Sequence, residues 1–363
     1  MNRKTTVITS YEVIRVSIGY SLYLSSFEMQ KPMFEEIDGR GQFVFTSLHL
    51  QEEMDDLKAY REQAKSALHW LKGKGFYIIA DVSPITLEIF NAPTLNEFMT
   101  RLPVDCLRID YGFSDDDILT LAKDYPVCFN ASTVKKDFVL KLKALGTKIF
   151  ACHNFYPRPE TGLDEDMFRE INEWLKELGF HIMAFIPGKA KRKPIYEGLP
   201  TLERHRTLPS YVSFLDLVLK EGIDTVLVGD LTIDHQDRLW IEQYLSHQTI
   251  CLPVHFEPPY SHLYDQAFTV RPDSPFSNIR LTESRLMNWD EGLLKPYHQT
   301  DRPVGTITVD NVNYGRYRGE IQIVRVDRPR DERVNVIGHV DPNYLDLLPI
   351  IPNRSKIRFV RKR

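Results

Sequence analysis

Short apolar runs rich in β-branched residues recur along the first two thirds of the chain, at residues 16–24, 43–49, 76–81, 106–110, 127–130, 149–154, 181–186 and 225–230. Polar stretches with helical spacing separate them. Residues 52–72, for example, place Leu57, Ala64, Leu68 and Leu71 on one face, and glycines follow. Ser114 followed by Asp115, Asp116 and Asp117 sets a cap and negative charge at a helix start. Segments 135–145, 164–178 and 211–221 each close on a glycine (Gly146, Gly179, Gly222) and lead directly into the next apolar run. Strands alternating with helices predict crossover units and a parallel sheet, and about eight units suffice to close a (β/α)₈ barrel.

Beyond residue 246 the helical period disappears. Proline-rich loops alternate with strand-like pieces at 279–286, 304–309, 320–326 and 334–340, which predicts a small all-β domain. The expected division is a TIM-like α/β barrel over 1–248 and a β-domain over 249–363, packed together because no low-complexity linker joins them. The chain has 363 residues, about a hundred more than a barrel of roughly 250 needs, which accommodates the second domain.

Composition narrows the function classes. No apolar run approaches the roughly twenty residues of a membrane span. The first sixteen residues lack the long apolar region and cleavage site of a signal peptide, so a cytoplasmic location is expected. The four cysteines, Cys106, Cys128, Cys152 and Cys251, lack the paired spacing of a zinc site and read as reduced and buried. A net charge of −4 argues against nucleic acid or an anionic membrane as partner. Oligomeric state is not legible.

Most of the apolar runs end on hydrogen-bonding side chains, and in a (β/α)₈ barrel those ends share one mouth. His49, Asp81, Asp110, Asn130, Asn154 and Asp230 therefore form the candidate site. Strand parity puts Cys106, Arg108 and Asp110 on the inner face. A buried guanidinium requires an anion, and Asp81 or Asp110 would supply it. A structural ion pair across the barrel competes with an acid/base role for these groups. Segment 153–163 holds Arg158 and Glu160 between two prolines, which reads as a stiff loop over the mouth or as a turn that merely caps the next helix. The long segment 187–209 is rich in Lys and Arg. Loops at this position often bind phosphate, although a charge run is also an ordinary solvated surface.

Segments 17–24 (SIGYSLYL), 45–49 (FTSLH), 107–113 (LRIDYGF), 129–133 (FNAST), 153–163 (HNFYPRPETGL) and 196–205 (YEGLPTLERH) resemble the signature runs of the bacterial 6-phospho-N-acetylmuramidases, long described as outer surface proteins of unknown function. Segment 310–320 (DNVNYGRYRGE) resembles a turn of that family's cyclophilin-like β-domain. The resemblance implies intracellular cleavage of the β-1,4 bond between N-acetylmuramic acid 6-phosphate and N-acetylglucosamine in cell-wall recycling, with a small phosphorylated disaccharide as partner and no cofactor.

Glycosidases typically use two carboxyl groups. Under the resemblance Asp110 is the first candidate, with Glu160 or Asp81 as its partner. His49, Asn130 and Asn154 would bind hydroxyls or the acetamido group, and Glu197, Asp230 and Tyr314 are further substrate contacts. Arg158, Arg192 or Arg204 would take the phosphate, joined by Arg316 and Arg318 if the tail domain folds over the mouth; a tail that only stabilises the barrel is the alternative. A Schiff-base enzyme is disfavoured because no predicted strand ends on lysine. A metal-dependent phosphosugar hydrolase using His49, His153, Asp81, Asp110 or Asp230 and a noncatalytic phosphosugar receptor remain as competing readings.

Overall fold

The computed structural model describes residues 16–49, 56–109 and 111–362. Eight strands, β1 (Ser17–Leu22), β2 (Phe43–Ser47), β3 (Tyr77–Val82), β4 (Cys106–Ile109), β5 (Val127–Asn130), β6 (Ile149–Cys152), β7 (His181–Ile186) and β8 (Thr225–Val228), close in chain order into a parallel barrel, with β1 paired to both β2 and β8. Between them run α1 (Phe27–Glu36), α2 (Leu57–Gly73), α3 (Pro84–Ile89), α4 (Leu95–Arg101), α5 (Asp115–Leu121), α6 (Lys136–Ala144), α7 (Glu165–Glu177) and α8 (Ser210–Leu219), while α9 (His235–His247) follows β8. Each apolar run expected to be a strand contains one.

The local causes are visible at the helix ends. Ser114 and Asp117 form a reciprocal capping box at the start of α5, and Asp164 caps α7 through the Met167 N–H. Asp56 caps α2; the expected beginning of that helix, 52–55, lies outside the described residues. Gly179 and Gly222 turn the chain at φ of 73° and 65°, conformations that a side chain disfavours, and so let α7 and α8 end abruptly before the next strand.

Side-chain parity sorts the strands. Residues such as Ile78, Ala80, Leu107 and Ile182 face the helices, whereas Phe45, Ile79, Cys106, Cys128, Phe150, Cys152, Met183, Phe185 and Leu227 pack together as a separate cluster filling the barrel. The barrel is thus solid below its mouth. All four cysteines are buried free thiols.

The C-terminal part is a seven-stranded mixed sheet in the order β10-β15-β9-β14-β12-β13-β11, comprising β9 (Thr249–Phe256), β10 (Ala267–Thr269), β11 (Asn278–Arg280), β12 (Thr306–Asp310), β13 (Ile321–Val324), β14 (Val334–Val340) and β15 (Lys356–Val360). One expected strand is shorter than its apolar pattern. Segment 279–286 pairs only at its start and then winds into a 3₁₀ turn, Glu283–Leu286, whose Ser284 hydroxyl bonds the Leu281 carbonyl. β9 and β15 pair in parallel, a long-range contact with no local signature. This sheet docks on α8 and α9. Tyr344 donates its hydroxyl to Asp237 at 2.9 Å and packs edge-on against Trp240, and the Cys251 N–H donates to the Tyr211 hydroxyl at 2.8 Å. Among the described residues no helix is long and apolar enough to cross a membrane.

Candidate active site

Above the apolar filling, the next inward-facing positions are polar. The β3–β4 register sets Asp81 beside Arg108. The Arg108 guanidinium is only 3% exposed, donates to Asp81 Oδ1 at 2.7 Å and also donates to Asn154 Oδ1. It lies 5.9 Å from the centre of the Phe45 ring, the roof of the apolar filling. A cation removed from water in this way demands a buried counter-charge, and Asp81 provides it. His49 completes the group: its Nε2 is 4.0 Å from Asp81 Oδ2, its Nδ1 is 3.5 Å from the Ser47 hydroxyl, and its ring meets the exposed Tyr111 edge-on at 5.7 Å.

A second row of polar groups holds Asn154 in place. The Asn154 N–H donates to Ser132 Oγ at 3.2 Å, Ser132 Oγ lies 3.2 Å from His153 Nδ1, and His153 Nε2 lies 2.8 Å from Asn172 Oδ1. Burial lowers the His153 pKa to about 4, so the ring is neutral near pH 7, with its one proton on Nε2 toward the Asn172 oxygen and Nδ1 accepting from Ser132. Asn130 spends its side-chain oxygen on the Ser132 N–H at 3.0 Å, shaping the turn that carries Ser132. Phe45, Phe155 and Phe185 meet edge-on at 5.1–6.5 Å and form an aromatic shelf beside this polar cluster.

The two loops expected over the mouth are fastened to each other. The Tyr156 N–H donates to the Pro200 carbonyl and the Leu163 N–H to the Thr201 carbonyl. Glu203 accepts from the backbone of Glu160 and Gly162, and Arg206 binds Glu203 and the carbonyls of Tyr156, Arg158 and Gly198. The Arg206 guanidinium pulls the Glu203 carboxyl down to about 2. Arg158 and Glu160 thus have fixed backbones and exposed side chains, Glu160 at a φ of 65°. The Asp81–Arg108–Asn154 cluster is built without them.

Other candidates fall elsewhere. Asp110 lies outside the described residues. Asp230 is 1% exposed, and its carboxylate accepts from the N–H groups of Gly188, Leu199 and Arg192, so it shapes the loop after β7. Arg204 directs its guanidinium to Asp216, Glu165 and Glu221 in an ion network beside α7 and α8. Glu197 is exposed on the loop after β7, and Arg192 stacks over Tyr23 at 4.6 Å. Tyr314 stacks with Arg333, Arg316 with Tyr317, and Arg318 is exposed; these contacts fall within the C-terminal sheet domain.

Ser47, Ser132, Asn172 and the aromatic shelf were not singled out from sequence. Parity would have found Ser47, two residues beyond Phe45 on the inner face. Asn172 sits mid-helix, where an amphipathic pattern marks it only as an interruption. Among the described residues no group of three His, Cys, Asp or Glu side chains is arranged to hold a metal ion.

Comparison with known proteins follows the same division of the chain. Residues 18–242 match the family described as 6-phospho-N-acetylmuramidase, N-terminal, and residues 250–360 match the one described as 6-phospho-N-acetylmuramidase, C-terminal. The chain is similar to a crystal structure of a conserved Enterococcus faecalis protein with an unknown function, at 31% identity and a TM-score of 0.82, over 95% of this chain and 96% of that one. An uncharacterized B. cereus protein shares the fold at 24% identity and a TM-score of 0.73, over 96% of this chain and 100% of that one. No curated protein matches the chain in sequence.

Proposed function

Because the chain belongs to the 6-phospho-N-acetylmuramidases, a family of glycoside hydrolases, we propose that its barrel mouth hydrolyses the β-1,4 bond between N-acetylmuramic acid 6-phosphate and N-acetylglucosamine, inside the cell, in the recycling of peptidoglycan. The observation that carries the reading is the buried Asp81–Arg108–Asn154 cluster at the strand ends, with His49 beside it. It supplies one anchored carboxylate at the place where this fold performs chemistry.

Glycoside cleavage needs a carboxyl group that protonates the leaving oxygen and a carboxylate that attacks the anomeric carbon or activates water. Asp81, compensated by Arg108, takes the ionised role. Asp110, the first candidate among the acids from the sequence, takes the acid role, ahead of the exposed Glu160. The Asn154 amide and His49 orient sugar hydroxyls or the acetamido group, and the Phe45–Phe155–Phe185 shelf offers an apolar surface to a sugar face.

The test is product analysis with the phosphorylated and unphosphorylated disaccharides side by side. Release of N-acetylglucosamine, abolished in Asp81→Asn and Asp110→Asn while disaccharide binding persists, is the expected result. Binding without release by the wild-type protein would make the molecule a receptor and end the hydrolase reading.

A further inference from the structure

One hydrogen-bonded chain ties the polar cluster inside the barrel to the helix layer outside it. His153 follows β6 with its side chain turned outward: the ring packs on Phe168 of α7 at 4.6 Å, and its Nε2 lies 2.8 Å from Oδ1 of Asn172, also on α7. Asn154, one residue on, takes the opposite side and meets Arg108 within the barrel. Ser132, in the turn after β5, joins the two, because its hydroxyl oxygen is 3.2 Å from His153 Nδ1 and 3.2 Å from the Asn154 nitrogen. Contacts through Asn172, His153, Ser132, Asn154, Arg108 and Asp81 thus run from α7 through the barrel wall to β3.

His153 and Asn172 are 0% and 3% exposed, in a layer otherwise filled by apolar side chains such as Phe168 and Leu175. Burying two polar groups there carries a desolvation cost that an apolar pair would not, and their mutual hydrogen bond only offsets it. What the pair adds is direction. With the ring proton on Nε2 facing Asn172, Nδ1 can only accept, so Ser132 donates its single proton there and keeps its lone pairs for the Asn154 N–H. From the other side the Thr201 hydroxyl donates to the Asn154 carbonyl at 2.8 Å, and the same hydroxyl accepts from the Phe185 N–H of β7 at 2.9 Å. Arg108, which can only donate, requires the oxygen of the Asn154 amide to face it. The N–H, the carbonyl and Oδ1 of Asn154 are therefore all committed, which leaves Nδ2 as the group it can offer to a ligand.

We propose that Ser132, His153 and Asn172 are positioning residues for the cleavage reaction, acting through Asn154 to hold its amide so that Nδ2 donates to an acceptor oxygen of the bound sugar. The proposal rests on the hydrolase reading above and deepens it, because it assigns a role in turnover to groups that never touch the substrate. Protonation of His153 breaks the chain: both ring nitrogens then donate, the Ser132 proton loses its acceptor, and the hydroxyl must turn. Burial, helped by the Arg108 charge and opposed by the Asn172 hydrogen bond, holds the ring neutral down to about 4. Asn172, Ser132 and Phe168 bring no charge to the ring, so among the described residues Arg108 is the charged group that acts on it.

The experiment measures kcat and KM for the phosphorylated disaccharide across the acid and neutral range in the wild type, Asn172→Asp and Ser132→Ala, with thermal midpoints alongside. Asn172→Asp keeps the shape and the acceptor but sets a carboxylate against Nε2, and an opposite charge at that distance raises a histidine pKa by about 1–3 units. The acid limb of kcat should move up by a similar amount, with wild-type kcat regained as the pH is raised. In Ser132→Ala, kcat should fall roughly three- to tenfold, as expected for the loss of one hydrogen bond, and more than KM rises. A purely structural role predicts lower midpoints with the wild-type kcat profile for the folded protein; that result in both variants overturns the proposal and leaves the hydrolase intact. Ser132 is only half-buried, so its variant decides alone should Asn172→Asp fail to fold. If the wild type cleaves no disaccharide, the hydrolase reading falls, and the same pH shift is then sought in disaccharide affinity by calorimetry, where its presence supports the positioning role and its absence overturns it.

Discussion

Replacing Asp81 with Asn removes a counter-charge from a guanidinium that is 3% exposed. Removing one partner of a buried ion pair costs about 3 to 5 kcal/mol, because the remaining charge is stranded away from water. The lower end applies here, since Asn154 still accepts from Arg108 and the new amide oxygen can replace one hydrogen bond. At roughly 2–4 °C per kcal/mol for a chain of this order of size, the thermal midpoint should fall by about 6–12 °C. Replacing both partners, as Asp81→Leu/Arg108→Met, removes the buried cation as well and should recover most of that loss, because apolar substitutes for a buried pair are often neutral. Thermal or urea unfolding of the wild type, the single variant and the double variant forms the assay, with disaccharide cleavage measured well below each midpoint. Both variants should be inactive, and only the single variant should be strongly destabilised. A single variant within about 1 kcal/mol of the wild type, the range typical of exposed pairs, would refute the claim that this pair is desolvated.

The relay behind Asn154 should titrate on the acid side. The folded His153 pKa is lowered to about 4 from 6.5, so its contribution to stability is complete above 6.5 and is lost as pH falls toward 4; His153→Gln should flatten that part of the stability curve. Glu203 has its pKa lowered from 4.5 to about 2, so its clasp on the two mouth loops contributes above 4.5 and fades as pH drops toward 2. The destabilisation caused by Glu203→Gln, followed by unfolding at several pH values, should therefore shrink across that window. Gly188→Ala would put a methyl carbon 2.2 Å from the Thr232 carbonyl oxygen and 2.9 Å from Asp230 Cβ. That clash forces the loop after β7 to move, and cleavage should fall more than stability; unchanged kinetics would show that this loop does not serve the mouth. Phe155→Ala opens the aromatic shelf and should lower kcat/KM roughly tenfold or more, read with the phosphorylated disaccharide.

Much of the architecture was legible because its causes are local. Period-two apolar runs, capping residues such as Ser114 and Asp164, and glycines after helices each act within a few residues of themselves, and their repetition spelled out a closed α/β barrel. Parity alone turned Arg108 inward and required an anion near it. The resemblance in the signature runs was equally local and agreed with the family to which the whole chain belongs. The β-domain was read less sharply. Its β9–β15 pairing joins residues about a hundred positions apart, and segment 279–286 looks like a strand until the Ser284 turn ends it.

What needed the folded chain was the choice among partners. Arg204, Asp230 and Arg108 are all ionisable residues near strand ends or in loops, yet Arg204 finds Asp216, Asp230 finds three backbone N–H groups, and Arg108 finds Asp81 and Asn154. Strand periodicity tells which face a side chain takes. Which of several opposite charges it meets is set by how the strands stagger and how far the loops reach once the barrel closes. That information resides in contacts between distant segments, where burial makes each unpaired polar group costly and so selects one arrangement.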